Sequence, residues 1–460
     1  MTRGWAALGA AAVALALALA LGASAQAQAQ EQTPSATADR AALEQRVNQL
    51  EEELALVKRK LEVDAETEAA KPAQAVVSAG TDGFSIRSPD SKYLVRIRGY
   101  TQFDGRFFNE APTNLPQGAD TFFFRRIRPI VEGTLGGVLD FRIMPDFAGS
   151  QLVVQDAYAN LRYLPEAQLQ LGKYKGPIGL ERLQSATAMW FVERALPTQL
   201  VPNRDVGIML QGVIDEGLVN YQLAWMNGVP DGASSADTDS NNDKDVMGRI
   251  FINPFQDSGI DALQGLGVGF ASSYGHELGT PGTYKTSGQQ VFFQFRTGVT
   301  QAGSAVRYSP QAYWYWGPFG MLTEYVLSSR KYARPGFADL RADNNAWQVA
   351  LAWAITGENE SYKGLLPSTS FDPLHGTWGA FELVTRFSQL KVDSSVFDAN
   401  YADAATQAES AKLWSVGVNW YLNRFAHLGL NYDNTSFRNF GGNRDRTTEG
   451  VILSSLTLSY

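Results

Sequence analysis

The sequence predicts an all-β, transmembrane antiparallel β-barrel of about sixteen strands, preceded by a short coiled-coil helix. Three observations lead there. First, long segments alternate apolar and polar residues. From Tyr93 to Phe108, Val95, Ile97, Thr101, Phe103 and Phe107 fall on one face, and Arg96, Arg98, Tyr100, Gln102, Asp104 and Arg106 on the other. Apolar residues outward and charged residues inward describe a barrel in lipid around a wet lumen. Second, no internal run of ~20 apolar residues follows the N-terminus, so the chain lacks a helical span. Third, the chain ends with Ile452, Leu456, Leu458 and Tyr460 on one face, an amphipathic strand closed by an aromatic residue, as outer-membrane barrels end.

Residues 1–25 read as a secretory signal: Arg3, an Ala/Leu core from Ala10 to Leu21, and the small-residue site Ala23-Ser24-Ala25. Residues 26–38 are a polar Ala/Gln linker. Over 39–63, Leu43, Val47, Leu50, Leu54, Val57 and Leu61 step by four and three, an a/d stripe. With Leu43 at d, Arg46 and Glu53 at g face Glu51 and Lys58 at the following e positions, which favours a parallel, in-register oligomer. The competing reading is an amphipathic helix packed on its own barrel. Residues 64–92 read as a second linker, and 93–460 as the barrel.

The sixteen strands are expected at 93–108, 122–135, 138–147, 153–163, 167–175, 206–215, 217–226, 245–254, 264–274, 304–316, 318–332, 345–357, 377–392, 412–423, 425–435 and 450–460. Tight turns such as Gly136-Gly137 and Gly317-Pro318 mark one end, and long connections such as 176–205, 227–244 and 275–303 the other. The stretch 358–376 breaks this rule, being long at the short-turn end. Aromatics near strand ends (Phe122 to Phe124, Tyr313 to Trp316, Trp353, Trp414, Trp420) suit interfacial girdles.

The chain has 39 basic and 47 acidic residues, with 27 Arg against 12 Lys. The barrel segment is itself slightly acidic, so any anion preference must come from where charges sit. Parity places Arg96, Arg98, Arg106, Arg126, Arg128, Arg142, Arg162, Arg249, Arg307 and Arg386 on lumen faces; Arg125 has the wrong parity for its strand. Lumen acids such as Glu132, Asp146 and Asp156 could pair these arginines off. The loop 176–205 is expected to fold inward, and Lys173 and Lys175 at its root are expected to line the pore and bind anions together with these arginines and Arg125. Glu181, Arg182, Glu193, Arg194, Arg204 and Asp205 would pin it to the wall. No Cys is present, and no Cys/His cluster suggests a metal site. The acidic loop Asp231, Asp237, Asp239, Asp243, Asp245 reads as solvated, lacking a full calcium-loop spacing. His427 with Asn431 is the one thin candidate for hydrolysis. No nucleophile–base–orienter set can be read, so an enzyme is not expected.

Several strings resemble the phosphate-selective porin O and P family. They are Phe124-Arg125-Arg126-Ile127-Arg128 leading to Glu132-Gly133; Asp156-Ala157-Tyr158 leading to Tyr163; Gly172-Lys173-Tyr174-Lys175-Gly176-Pro177 leading to Leu180-Glu181-Arg182; Glu193-Arg194 followed by Arg204-Asp205-Val206-Gly207; Ser309-Pro310-Gln311 with Tyr315-Trp316-Gly317-Pro318; and Gly379-Ala380-Phe381-Glu382-Leu383. The resemblance runs from about residue 83 to 460 with the motifs in order. It implies a homotrimeric sixteen-stranded porin in the bacterial outer membrane, its N-terminal segment in the periplasm. It also implies an arginine ladder leading to an Arg/Lys constriction narrowed by infolded loops, both arginines of the Arg125-Arg126 pair at or near that constriction, and passive passage of phosphate or polyphosphate. The partners so implied are inorganic phosphate or other small anions and outer-membrane lipid, with no nucleic acid and no cofactor. The alternatives are a general or organic-acid porin on the same barrel, or a barrel-anchored envelope tether.

Overall fold

The computed structural model describes residues 36–70, 74–81, 83–110, 118–235, 239, 241–442 and 446–460. The signal segment 1–25, most of the first linker and Asp237 lie outside the described residues. Two units separate, Met1–Gln74 and Ala75–Tyr460.

The first unit contributes helix α1, Ala36–Ala70, longer at both ends than the stripe predicts. Its seam is exposed along the whole helix: Leu43, Val47, Leu50, Leu54, Val57 and Leu61 all stand open to solvent.

The second unit opens with a hairpin, β1 (Val76–Gly80) and β2 (Gly83–Arg87), inside the stretch read as linker. These strands have five residues each and are mostly exposed; in β2, Phe84 and Ile86 alternate with Ser85 and Arg87, while β1 shows no alternation. The sixteen barrel strands follow. They are β3 (Leu94–Glu110), β4 (Thr121–Leu135), β5 (Leu139–Asp146), β6 (Val153–Leu164), β7 (Ala167–Tyr174), β8 (Asp205–Ile214), β9 (Val219–Met226), β10 (Asp245–Ile252) and β11 (Leu266–Gly279). After the small pair β12 (Tyr284–Lys285) and β13 (Val291–Phe293) come β14 (Thr300–Trp316), β15 (Phe319–Ala333) and β16 (Leu340–Ala354). A second small pair, β17 (Phe371–Asp372) and β18 (Thr377–Trp378), precedes β19 (Ala380–Lys391), β20 (Ala408–Asn423), β21 (Ala426–Asn439) and β22 (Glu449–Ser459). Each barrel strand pairs antiparallel with the next, and β22 returns to β3 from Gly450 opposite Glu110 to Ser459 opposite Tyr100. Below that point Gly99 and Tyr460 exchange two backbone hydrogen bonds of 3.0 Å, and β2 takes the free edge of β3. Closure removes the sheet edges that lipid could not satisfy.

The pleat sorts the residues as alternation predicts. Facing outward, Phe381 stacks on Trp420, and Trp314, Trp316, Phe319 and Trp353 form a run of stacked rings near the short turns. Tyr313 and Tyr315, between the outward tryptophans, point inward to Asn253 and Trp190. The lumen is partly filled. Loop 175–204, the segment around β12 and β13, and loop 392–407 fold into it around an aromatic cluster of Tyr284, Phe292, Phe293, Phe397 and Phe437. The awkward stretch 358–376 does not disturb the strand count. It belongs to an insertion between β16 and β19 that turns back inward: the Tyr362 hydroxyl donates to the Leu180 carbonyl at 2.6 Å, and the Gln184 amide donates to the Tyr362 carbonyl at 3.1 Å.

Candidate functional site: a basic cavity beside the inward loop

The loop 175–204 leaves β7 and is tied along the far wall. Glu324 on β15 accepts from the Leu180 and Glu181 amides at 2.6 and 3.3 Å. Asn419 on β20 donates to the Trp190 carbonyl, Asn431 on β21 accepts from the Val192 amide, and Arg386 on β19 donates to the Glu193 carbonyl. Crossing to the near wall, Glu193 takes Arg125 in a two-pronged pair at 2.7 and 3.2 Å. Open space remains between the loop and the β3–β8 wall, a cavity of about 1230 Å³.

Its lining is one-sided in charge. Thirteen Arg and Lys side chains border it against four Asp and Glu. On the wall stand Arg96, Arg98, Arg125, Arg126, Arg128 and Arg142; on the loop, Lys175, Arg182, Arg194 and Arg204; at the margins, Lys285, Lys363 and Arg424. The nearby acids are shared. Glu132 serves Arg98 at 2.6 Å, Arg142 at 3.5 Å and Arg96 at 3.9 Å. Asp156 serves Arg204 at 3.0 Å and Arg142 at 3.5 Å, and Asp146 holds Arg128 at 2.7 Å. Among the described residues, Arg126, Lys175, Arg182 and Arg194 have no carboxylate within 4 Å. They are held instead by neutral acceptors. Arg126 donates to the Gln102 side chain, Lys175 to the Leu183 and Gln184 carbonyls, Arg182 to Thr198 O and Asn203, and Arg194 to the Glu181 and Gln184 carbonyls. A cation so held is fixed in place with its charge uncancelled. The crowding registers in the loop. Burial, then the neighbouring Arg194 and Arg204, hold the Lys175 amine well below its usual range. Burial, then Arg182, push Arg194 down to about 10. Burial alone would raise the Glu193 carboxyl, but the Arg125 guanidinium outweighs it and keeps it below the usual carboxylate range.

Arg125 reaches this cavity by a β-bulge. Gln102 pairs with Arg126 and Phe103 with Phe124, so Arg125 is the extra residue on β4. A bulge of this kind puts two successive side chains on one face. Parity, read as strict alternation, therefore sends Arg125 the wrong way.

Four other sequence assignments are corrected. Arg307 and Arg386 do lie on inner faces, but the infolded loops cover them and neither borders the cavity. Arg307 is fully buried among Asp231, Glu277 and Asp245 at 2.9, 2.9 and 3.4 Å, and Arg330 joins the same acids. Arg386 lies 3.6 Å from Glu181 and 3.7 Å from Asp433, with its guanidinium 4.1 Å from the Phe191 ring. Lys173 shares the outward parity of Leu169 and Leu171, and its amine donates to Ser235 O in the loop 227–244. Arg162 sits outside the cavity lining, paired with Asp140 at 2.8 Å.

Among the pinning residues, Glu193 and Glu181 tie the loop, the latter by accepting from the Ala195 amide at 2.8 Å. Arg182 and Arg194 do so through backbone carbonyls rather than acids. Asp205 is different: it accepts from the Gly228 amide at 2.8 Å and steadies the neighbouring loop. In that loop, Asp231 and Asp245 are buried ion-pair partners, not solvated residues. His427 packs on the Tyr421 ring, while Asn431 binds the Val192 amide, so the two serve separate structural contacts.

Sequence reasoning passed over Lys285 and Lys363, which lie on infolded segments, and Arg330, whose lumen parity was there to be read.

Comparison with known proteins agrees with this architecture. The family of phosphate-selective porins O and P matches residues 95–446. Porin O of Pseudomonas aeruginosa is 25% identical over 390 residues, covering 76% of this chain and 84% of its own length. Two solved structures share the fold. The outer-membrane channel DcaP of Acinetobacter baumannii has a TM-score of 0.54 at 13% identity, over 81% of this chain and 99% of its own. An anion-selective porin from Comamonas acidovorans has a TM-score of 0.50 at 12% identity, over 80% and 100%. An outer-membrane barrel with a charged lumen and a family match over most of its strands is a channel rather than an enzyme, and this chain belongs to the phosphate-selective porin O and P family.

Proposed function

We propose that this barrel is a passive outer-membrane channel for small anions, with inorganic phosphate or short polyphosphates as its preferred solutes. The observation that carries this reading is the thirteen-to-four excess of basic over acidic side chains around the cavity, with seven of those cations, Arg126, Lys175, Arg182 and Arg194 among them, lacking a carboxylate within 4 Å among the described residues. A phosphate ion must shed part of its hydration to pass a narrow opening. Guanidiniums held open by neutral acceptors replace those water contacts with paired hydrogen bonds. Arg96, Arg98 and Arg142, which share Glu132, and Arg128, held by Asp146, make shallower sites beside Arg126 and the loop cations. A row of shallow sites passes an ion on, where one deep site would trap it.

The test is the zero-current potential of purified protein in a planar bilayer under a KCl gradient, followed by added phosphate. A strong anion preference with phosphate blocking chloride current is the expected result. Weak or cationic selectivity without block would assign the barrel to general or organic-acid diffusion.

The assembly we infer is a homotrimer with the long loops outside the cell and α1 in the periplasm. The apolar seam of α1 fits two further copies of itself, through the complementary Arg46–Glu51 and Glu53–Lys58 positions.

A further inference from the structure

On the outer surface of β19, β20 and β21, at the long-loop end, the strand register stacks residues in rows. Lys391, Ser410 and Arg438 form the outermost row, and Gln389, Lys412 and Ser436 the next. Below them come Phe387, Trp414 and Asn434, then Thr385, Val416 and Tyr432, then Leu383, Val418 and Leu430. Three cations thus stand directly above an aromatic row and an aliphatic band. They border a small recess of about 310 Å³. Lys391 lies 3.9 Å from Glu409, while Lys412 and Arg438 have no carboxylate within 4 Å among the described residues. Four residues beyond the outermost row, on the neighbouring β16 and β15, the cations are partnered differently: Lys331 on β15 lies 2.8 Å from Asp339, and Arg341 opposite it on β16 donates to Ser329, whose hydroxyl is bonded to Asp343.

Water does not need such a patch, and the lumen cannot use it, because these side chains point away from the channel. Aromatic residues mark the membrane–water boundary, so the cations sit at headgroup depth. There a phosphate group meets a guanidinium and two amines, while acyl chains run down over Trp414, Val416 and Val418. We propose that this face is a binding site for a phosphorylated lipid of the leaflet on the long-loop side. The inference rests on the barrel standing in a membrane with its loops outward, and it is independent of what passes the pore.

The test compares the full-length protein with a Lys391→Gln/Lys412→Gln/Arg438→Gln variant, and with Lys331→Gln as the control. Each is placed in phosphatidylcholine nanodiscs with and without diphosphorylated lipid A, and bound lipid is counted by native mass spectrometry. Loss of three interfacial charges is expected to weaken lipid A retention by roughly tenfold to a hundredfold. The control should be unmoved, and conductance and reversal potential in plain phosphatidylcholine bilayers should stay the same. Should the triple variant fail to fold, Lys412→Gln alone, with Lys412→Arg as rescue, carries the same comparison. Equal retention by variant and parent would overturn the proposal, as would equal retention of dephosphorylated lipid. Inorganic phosphate displacing the lipid completely at low concentration would assign the site to the free ion instead. Efficient disulfide cross-linking between copies through Lys412→Cys would show that a second subunit covers this face, and would also overturn it.

Discussion

Two groups of arginines share the inside of this barrel and differ in what surrounds them. Around the cavity, acids are outnumbered and shared, and four cations lean on carbonyls and amides. Across the lumen, Arg307 and Arg330 are fully matched, with Asp231, Glu277 and Asp245 closing around them out of contact with water. One residue type therefore does two jobs. Paired and dry, it nails the loop 227–244 to the wall. Underpaired and bordering the cavity, it is left with charge to offer a passing ion.

The sharpest way to break this contrast is to remove a cation from each group. Arg307→Ala leaves buried carboxylates short of a counter-charge, which costs about 3–5 kcal/mol. The expected outcome is a marked fall in melting temperature, with channels that still insert keeping their anion preference. Arg126→Ala should do the opposite. It faces no carboxylate within reach, so stability changes little, while the anion-to-cation permeability ratio falls by roughly two- to fivefold, as for one partly screened charge. An unchanged reversal potential would remove Arg126 from the permeation path. Glu193→Gln sharpens the comparison from the other side. It frees Arg125, so the anion preference should rise, while the loop loses its tie to β4 and current noise grows.

A pH series gives a smaller effect with a definite sign. Lys175 is held well below its usual value of 10.5, so its charge is present on the acid side and lost earlier than a free amine's as pH rises. Anion preference should therefore decline on the alkaline side before pH 10.5, and Lys175→Met should flatten that decline. Smallest of all, deleting residues 39–63 should leave single-channel conductance intact while lowering the proportion of trimer in native gels. Loss of conductance would show that the helix does more than hold copies together.

The barrel was legible in the sequence because lipid imposes alternation, and all sixteen strands fall where alternation and turns place them. The hairpin β1–β2 was legible only in part: Phe84 and Ile86 alternate with Ser85 and Arg87, while Val76 to Gly80 shows no alternation. The cavity residues were half legible. Parity puts Arg307 and Arg386 on the inner face correctly, yet inner face and channel are different surfaces once infolded loops occupy part of the lumen. Which arginines stay wet depends on where Trp190, Glu193 and Tyr362 land, and those contacts join residues up to 229 positions apart. Lys173 lies at the root of the inward loop, yet its parity on β7 is that of the outward Leu169 and Leu171.

The extra residue at Arg125 has a consequence for how such a wall could change over time. Along a regular strand, neighbours on one face stand about 6.6 Å apart, which caps the linear charge density that a lumen can carry. The bulge brings two guanidinium-bearing positions to about 3.8 Å along the chain. Because Phe103 already pairs with Phe124 and Gln102 with Arg126, losing Arg125 would restore a regular ladder and leave every other residue facing as before. A single codon gained or lost can thus step the charge of the wall by one unit without turning any other side chain around.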